Sequence, residues 1–141
     1  MTLYLDTSVI VSALTHEVAT PGVHAWLASV SDQPLAISDW VVTEFASALS
    51  LKQRTGQISE ALRLEAQVEF ERLRMASLLV LAISSRHFQL AAEIINERKI
   101  SLRSGDALHA AVAQERGLTL CTRDNALARD CAALGIACLQ L

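Results

Sequence analysis

The sequence predicts an α/β domain built on a parallel sheet, on two observations. Short apolar runs of strand length recur along the chain: Leu3-Tyr4-Leu5, Leu35-Ala36-Ile37, Leu78 to Ala82, Leu118 to Cys121 and Ile136 to Leu139. Between them lie stretches with helical periodicity. Strands that alternate with helices form βαβ units, which give a parallel sheet with right-handed crossovers. At 141 residues the chain is the size of one domain, so 1–141 is read as a single unit with a sheet of about five strands.

Each element has a local reason. Residues 2–5 form the first strand, followed by a helix from about Ser8 to Leu14. Thr15 to Gly22 reads as a loop closed by Pro21-Gly22, ahead of a helix from about Val23 to Val30. Ser31-Asp32-Gln33-Pro34 turns the chain into the second strand. Ser38 or Asp39 then caps a long helix that reaches about Arg54 and ends at Thr55-Gly56. Ile58, Leu62, Ala66, Phe70 and Leu73 recur at helical spacing, so 58–75 is amphipathic. Ser84 to Arg98 reads as a helix with Phe88, Ala91, Ala92 and Ile95 facing inward. A further helix runs from Ser104 to Gly117, and the last from Asp124 to Leu134.

Composition narrows the functional classes. Apolar residues make up 52% of the chain and mean hydropathy is +0.33. That surplus predicts apolar surface covered by another chain. The longest purely apolar run, Leu78 to Ile83, is too short to span a bilayer. The N-terminus has no basic region and Asp6 interrupts its apolar stretch, so no secretory signal is expected. Cys121, Cys131 and Cys138 sit in apolar segments without disulfide or zinc spacing. They read as buried, reduced thiols of a cytoplasmic protein. The net charge of −3 argues against a broad basic nucleic-acid face. Four acids engaged with divalent cations would leave the remaining surface slightly basic.

Four carboxylates carry the chemistry. Asp6 closes the first strand in Leu5-Asp6-Thr7-Ser8, and Asp124 follows the fourth in Cys121-Thr122-Arg123-Asp124. Ligands of open α/β sheets bind at the carboxyl ends of the strands, so both acids belong to one rim. Either also suits a helix N-cap. Glu44 interrupts an apolar stripe of the long helix that carries Trp40, Val41 and Ala48; a buried, unpaired carboxylate is costly, and an ion pair would answer it as well. Asp106 stands in the first turn of its helix, where the dipole favours an acid. The small residues Ala110 and Ala113 on its face, with Gly105 before it, let that helix approach the sheet closely. If the four converge within about 4 Å, each pair repels by roughly 4 kcal/mol at an effective dielectric near 20. Only cations make that tolerable. Oxygen-only donors suit Mg²⁺ or Mn²⁺, and such ions serve phosphodiester hydrolysis by activating water and stabilising the leaving oxygen.

With these pieces in place, the chain resembles the PIN domain, and within it the VapC-type toxin ribonucleases of toxin–antitoxin modules. The resemblance rests on Tyr4-Leu5-Asp6-Thr7-Ser8, Thr43-Glu44-Phe45, Gly105-Asp106-Ala107-Leu108-His109-Ala110-Ala111 and Thr122-Arg123-Asp124. It implies a three-layer α/β/α fold with a mostly parallel sheet and Mg²⁺-dependent endoribonuclease activity. It also implies a homodimer, and neutralisation by a VapB-like antitoxin that threads a segment into the acidic cleft. Asp6, Glu44, Asp106 and Asp124 match the acidic positions as metal-holding, catalytic residues. Thr7, Ser8 and Thr122 match hydroxyl positions that orient the acids or bound water. His109, one helical turn past Asp106, could contact metal or substrate, although the family often has a histidine at that position without a catalytic role.

The other polar residues have two readings each. Arg98, Lys99 and Arg103 precede Asp106 and could meet RNA phosphates or form a solvated helix end. Arg123 is better placed at the rim, to contact phosphate or to pair with a carboxylate. Asp39 reads as an N-cap; Asn125 reaches water or caps its helix. Trp26 and Trp40 read as core or interface residues. Two rivals remain: a catalytically inactive PIN-like module that binds a cation or a partner's arginine in the acid pocket, and a phosphoryl-accepting receiver domain. The receiver requires a Lys after a late strand, and Ile136 to Leu141 has none.

Overall fold

Leu3-Tyr4-Leu5, all buried, form the strand around which the sheet is laid. A computed structural model describes residues 1–97 and 99–141. Their order is β1 (Leu3–Leu5), α1 (Thr7–Leu14), α2 (Thr20–Ser29), β2 (Leu35–Ser38), α3 (Asp39–Arg54), α4 (Glu60–Ala76), β3 (Leu78–Leu81), α5 (Ser85–Ile95), α6 (Ser104–Arg116), β4 (Thr119–Thr122), α7 (Asn125–Ala133) and β5 (Cys138–Gln140). The five strands pair in the order β3-β2-β1-β4-β5, and every pairing is parallel. The chain builds one side of β1 first, then returns to build the other. That reversal of strand order opens a crevice beyond the carboxyl ends of β1 and β4, where ligands of such sheets bind.

The two faces of the sheet bury different helices, which makes three layers. Leu3, Leu5, Ile37 and Cys121 pack with Val9, Ile10, Val41, Phe45, Leu49 and Phe70 from α1, α3 and α4. Tyr4 and Leu120 point the other way, into the small residues Ala107, Ala110, Ala111 and Ala113 of α6 and into α7. Opposite faces for successive residues follow from the pleat. The alanines let α6 lie close on the sheet, as their spacing predicts. Cys121 and Cys131 are buried and Cys138 is partly so, and none forms a disulfide among the described residues. Burial, with smaller contributions from Cys138 and Asp6, pushes the Cys121 thiol up to about 12. Among the described residues, no helix is long and apolar enough to cross a membrane.

Four sequence expectations are corrected. Pro21 and Gly22 do not close a loop but lie in the first turn of α2, where proline's missing N–H has no helical partner to lose. The preceding Thr20 Oγ1 donates to Ser12 O and Thr15 O at 2.7 and 2.9 Å. Asp39 is the first residue of α3; Ser38 holds the N-cap position, without a capping bond from its side chain. The inward stripe of α5 is His87, Ala91 and Ile94, while Phe88 and Ile95 are exposed. The cause is His87: its Nδ1 accepts from Ser84 N at 2.9 Å and its Nε2 bonds Glu115 of α6, so this face turns inward. The helix ends at Ile95, and Arg98, its expected end, lies outside the described residues. Elsewhere element ends move by one or two residues, as fraying ends do.

Candidate active site

All four acids reach the carboxyl rim through the same device. A helix that follows a parallel strand starts at that rim, and a helix that leads into the next strand has run back from it. Asp6 is the N-cap of α1 and Asp124 the N-cap of α7. Glu44 lies in the second turn of α3, beyond β2, and Asp106 in the first turn of α6. The cap readings of Asp6 and Asp124 and the first-turn reading of Asp106 are therefore correct, and the topology starts all of these helices at the same rim of the sheet.

Asp6 is the most constrained. Its Oδ1 accepts from Ser8 Oγ at 2.5 Å and from Val9 N at 3.3 Å, and its Oδ2 accepts from Thr122 Oγ1. Thr122 Oγ1 in turn accepts from Asp124 N at 3.0 Å, and Ser8 Oγ from Arg123 N at 2.9 Å. The two hydroxyls thus tie the ends of β1 and β4 together through one carboxylate. Burial raises the Asp6 carboxyl above the usual carboxylate range, against the opposing effects of Ser8, Thr122, His109 and Val9.

Glu44 is held differently. Its Oε1 accepts from Thr7 Oγ1 at 2.6 Å and bonds His109 Nε2 at 2.5 Å. Burial alone would raise this carboxyl, but the bond and charge of His109, with Thr7 and the adjacent Trp40, outweigh it and hold the group below its usual range. Trp40 Nε1 is buried and, among the described residues, closes no hydrogen bond of normal geometry. Gly105 makes the approach possible. A Cβ there would stand 3.1 Å from Glu44 Oε2 and 3.3 Å from Trp40 Nε1.

Asp106 links the set. Burial raises its carboxyl first, and the charges of Asp124, Glu44 and Asp6 raise it further, against the charge of His109. All three other acids act on this one group. Asp124 Oδ1 is occupied by its cap, accepting from Ala126 N and Leu127 N at 2.8 and 3.1 Å. Among the described residues, no three His, Cys, Asp or Glu side chains stand ready-arranged around a metal ion. Asp6, Glu44 and Asp124 each turn at least one oxygen to local donors. In donor chemistry the set fits a hard divalent cation, being all carboxylate, with Asp106 bearing the repulsion of the rest.

The remaining candidates divide. Thr7, Ser8 and Thr122 are at the acids, as expected. Arg123 takes the pairing option: its Nη1 donates to Ser12 Oγ at 2.6 Å and to Glu17 Oε2 at 3.1 Å, and Lys52 bonds the other oxygen of Glu17 at 3.1 Å. Arg103 is exposed at the N-cap position of α6, and Lys99 is exposed; Arg98 lies outside the described residues. Asn125 accepts from Gln140 Nε2 and does not cap α7. Trp26 and Trp40 pack against the two cores. The sequence reading missed Tyr4 and Ser38. Tyr4 Oη bonds Ser38 Oγ at 2.8 Å and His109 Nδ1 at 2.7 Å. A tyrosine in a strand otherwise wholly apolar was the available signal.

Comparison with known proteins agrees with the fold. A search of curated proteins finds no match. Among solved structures, the chain is similar to VapBC2 from Rickettsia felis bound to a promoter DNA fragment, with TM-score 0.74 and 17% identity over 99% of this chain and 98% of that one. It is similar to Mycobacterium tuberculosis VapC20, a sarcin-ricin-loop-cleaving toxin, with TM-score 0.73 and 15% identity over 99% of both chains. FitAcB from Neisseria gonorrhoeae gives TM-score 0.71 and 22% identity over 98% of this chain and 96% of that one. At such identities the likeness speaks for the fold alone. The PIN domain model matches residues 3–131. Since that match begins in the central strand and runs into the last helix, the chain belongs to the PIN domain family.

Proposed function

We propose that this chain is a metal-dependent endoribonuclease, the toxin of a toxin–antitoxin pair. The observation that carries the reading is the Asp106 carboxyl, raised by burial and by three acids from separate parts of the chain. A fold gathers like charges at such cost where an ion relieves it. Asp6, Glu44, Asp106 and Asp124 would hold Mg²⁺, with Mn²⁺ as a substitute. The ion supplies a more acidic bound water and charge neutralisation at the phosphodiester. The chain's own work is orientation. Ser8 and Thr122 fix both oxygens of Asp6, Thr7 and His109 fix Glu44, and the Asp124 cap anchors the fourth acid to α7. Arg103, exposed beside the rim, is the residue for RNA phosphate; Arg123 joins it only on leaving Glu17.

The partners follow the same reading. The similar structures include VapBC complexes, which supports a VapB-like antitoxin here. The exposed Phe88 and Ile95 on α5 support a homodimer; a cytoplasmic location is part of the same proposal. The inactive-module alternative draws on the local donors that already occupy the acids. Cleavage of RNA with Mg²⁺ or Mn²⁺ against EDTA separates the two.

Asp6→Asn is the direct test. Asparagine still caps a helix, so the melting temperature should hold within a few degrees while metal-dependent cleavage falls at least about 100-fold. Undiminished cleavage by that variant refutes the mechanism.

A further inference from the structure

We propose that Tyr4 and His109 are positioning residues for Glu44: a buried line of hydrogen bonds, Ser38–Tyr4–His109, engages Glu44 Oε1 and fixes the orientation of that carboxylate at the metal site. The inference rests on the metal-site reading above and adds to it what holds one of its acids.

The line is continuous. Ser38 Oγ lies 2.8 Å from Tyr4 Oη, Tyr4 Oη 2.7 Å from His109 Nδ1, and His109 Nε2 2.5 Å from Glu44 Oε1. An ionised carboxylate only accepts, so Nε2 is the donor at Glu44. With the ring charged, Nδ1 donates to Tyr4 Oη and the Tyr4 O–H donates to Ser38 Oγ; with the ring neutral, Nδ1 accepts from the Tyr4 O–H and Tyr4 Oη accepts from Ser38, so the line closes in either state. Every member is buried: Tyr4 and Ser38 are 0% exposed and His109 2%. The Tyr4 and His109 rings pack at 5.7 Å between centroids, tilted by 53°, which fixes the imidazole plane.

Two features go beyond a satisfied buried tyrosine. Ser38 stands at the N-cap of α3 but makes no capping bond from its side chain. Its hydroxyl is given to Tyr4 instead, although capping is the usual role of a serine there. The line also ends on an acid of the site. Thr7 Oγ1 joins His109 on Oε1, while Oε2 faces the gap left by the missing side chain of Gly105. Outer partners of this kind set the orientation of a metal-binding carboxylate.

The test measures Mn²⁺ affinity by EPR titration on the full chain, alongside cleavage kinetics. Tyr4→Phe keeps the ring and removes the hydroxyl. It should weaken Mn²⁺ binding about 10-fold and lower kcat, with KM for RNA unchanged. His109→Gln, which keeps a side-chain N–H donor, should fall between wild type and His109→Ala. In a Glu44→Gln background Tyr4→Phe should have no further effect on Mn²⁺, because the line acts through Glu44. Wild-type Mn²⁺ affinity in Tyr4→Phe overturns the inference alone, as does an equal loss with and without Glu44. Should Tyr4→Phe fail to fold, the His109 series decides by the same criteria. No Mn²⁺ binding by the wild-type chain overturns the metal reading and this inference with it.

Discussion

At the scale of the residue, the acids of the rim work against the stability of the ion-free fold. Asp6 and Asp106 both have carboxyls raised above their ordinary value. Between the ordinary and the raised value the folded chain binds more protons than the unfolded one. Stability therefore falls as pH rises through that window, and the whole penalty is present above it. Glu44 and Glu17, held below their ordinary value, act in the opposite sense, so the effect is read as a difference between variants. Asp106→Asn removes the ionisable group from the repulsive set. In EDTA at neutral pH it should melt about 2 °C above wild type, and the advantage should vanish at a pH below the ordinary carboxylate range. Mg²⁺ should raise the melting temperature of wild type more than that of Asp106→Asn, which should not cleave RNA. A variant that melts lower than wild type in EDTA at neutral pH would contradict the shared-field account.

At the scale of the element, the first turns of α3 and α6 have to pass each other without a side chain between them. Gly105 provides this. A methyl at that position would meet Glu44 Oε2 at 3.1 Å and the Trp40 indole at 3.3 Å, closer than van der Waals contact. Alanine is otherwise the better helix former, by up to about 1 kcal/mol. Gly105→Ala should thus leave the melting temperature close to wild type while cleavage drops roughly tenfold, as a displacement near 1 Å suffices for a loss of this order or more. Gly22 is the control, because nothing lies within 4 Å of a Cβ placed there; its alanine variant should cleave as wild type does. Equal losses in both variants would mean that Glu44 does not depend on the gap. Element by element, strand order along the chain was legible because apolar runs and helical periods alternate cleanly. The facing of α5 was not. Its apolar residues admit two stripes one residue apart, and the choice is made by His87 reaching Glu115, on another helix.

At the scale of the whole molecule, the parallel sheet explains why acids at positions 6, 44, 106 and 124 share one rim. Each crossover returns the chain to the same edge, so any residue just after a strand or just inside a returning helix arrives there. The same architecture leaves Phe88 and Ile95 exposed on α5, next to Trp40 and Gly105 across an apolar hollow of about 270 Å³. We place the second copy of the proposed homodimer on this face. Phe88→Glu should move the protein from dimer to monomer in sedimentation, with little change in melting temperature. A variant that still sediments as a dimer would place the interface elsewhere.

The alternating pattern, the four acids, their hydroxyl neighbours and the glycine before Asp106 were determined by the sequence alone, because periodicity, capping and strand-end chemistry are local properties. What only the tertiary structure decided is who touches whom across the fold. Arg123 pairs with the carboxylate of Glu17, Ser38 gave up its helix for Tyr4, and His109 reached Glu44 across 65 positions. The physical reason is that a buried polar group must find a partner wherever the packing puts one, and packing joins residues without regard to their distance along the chain.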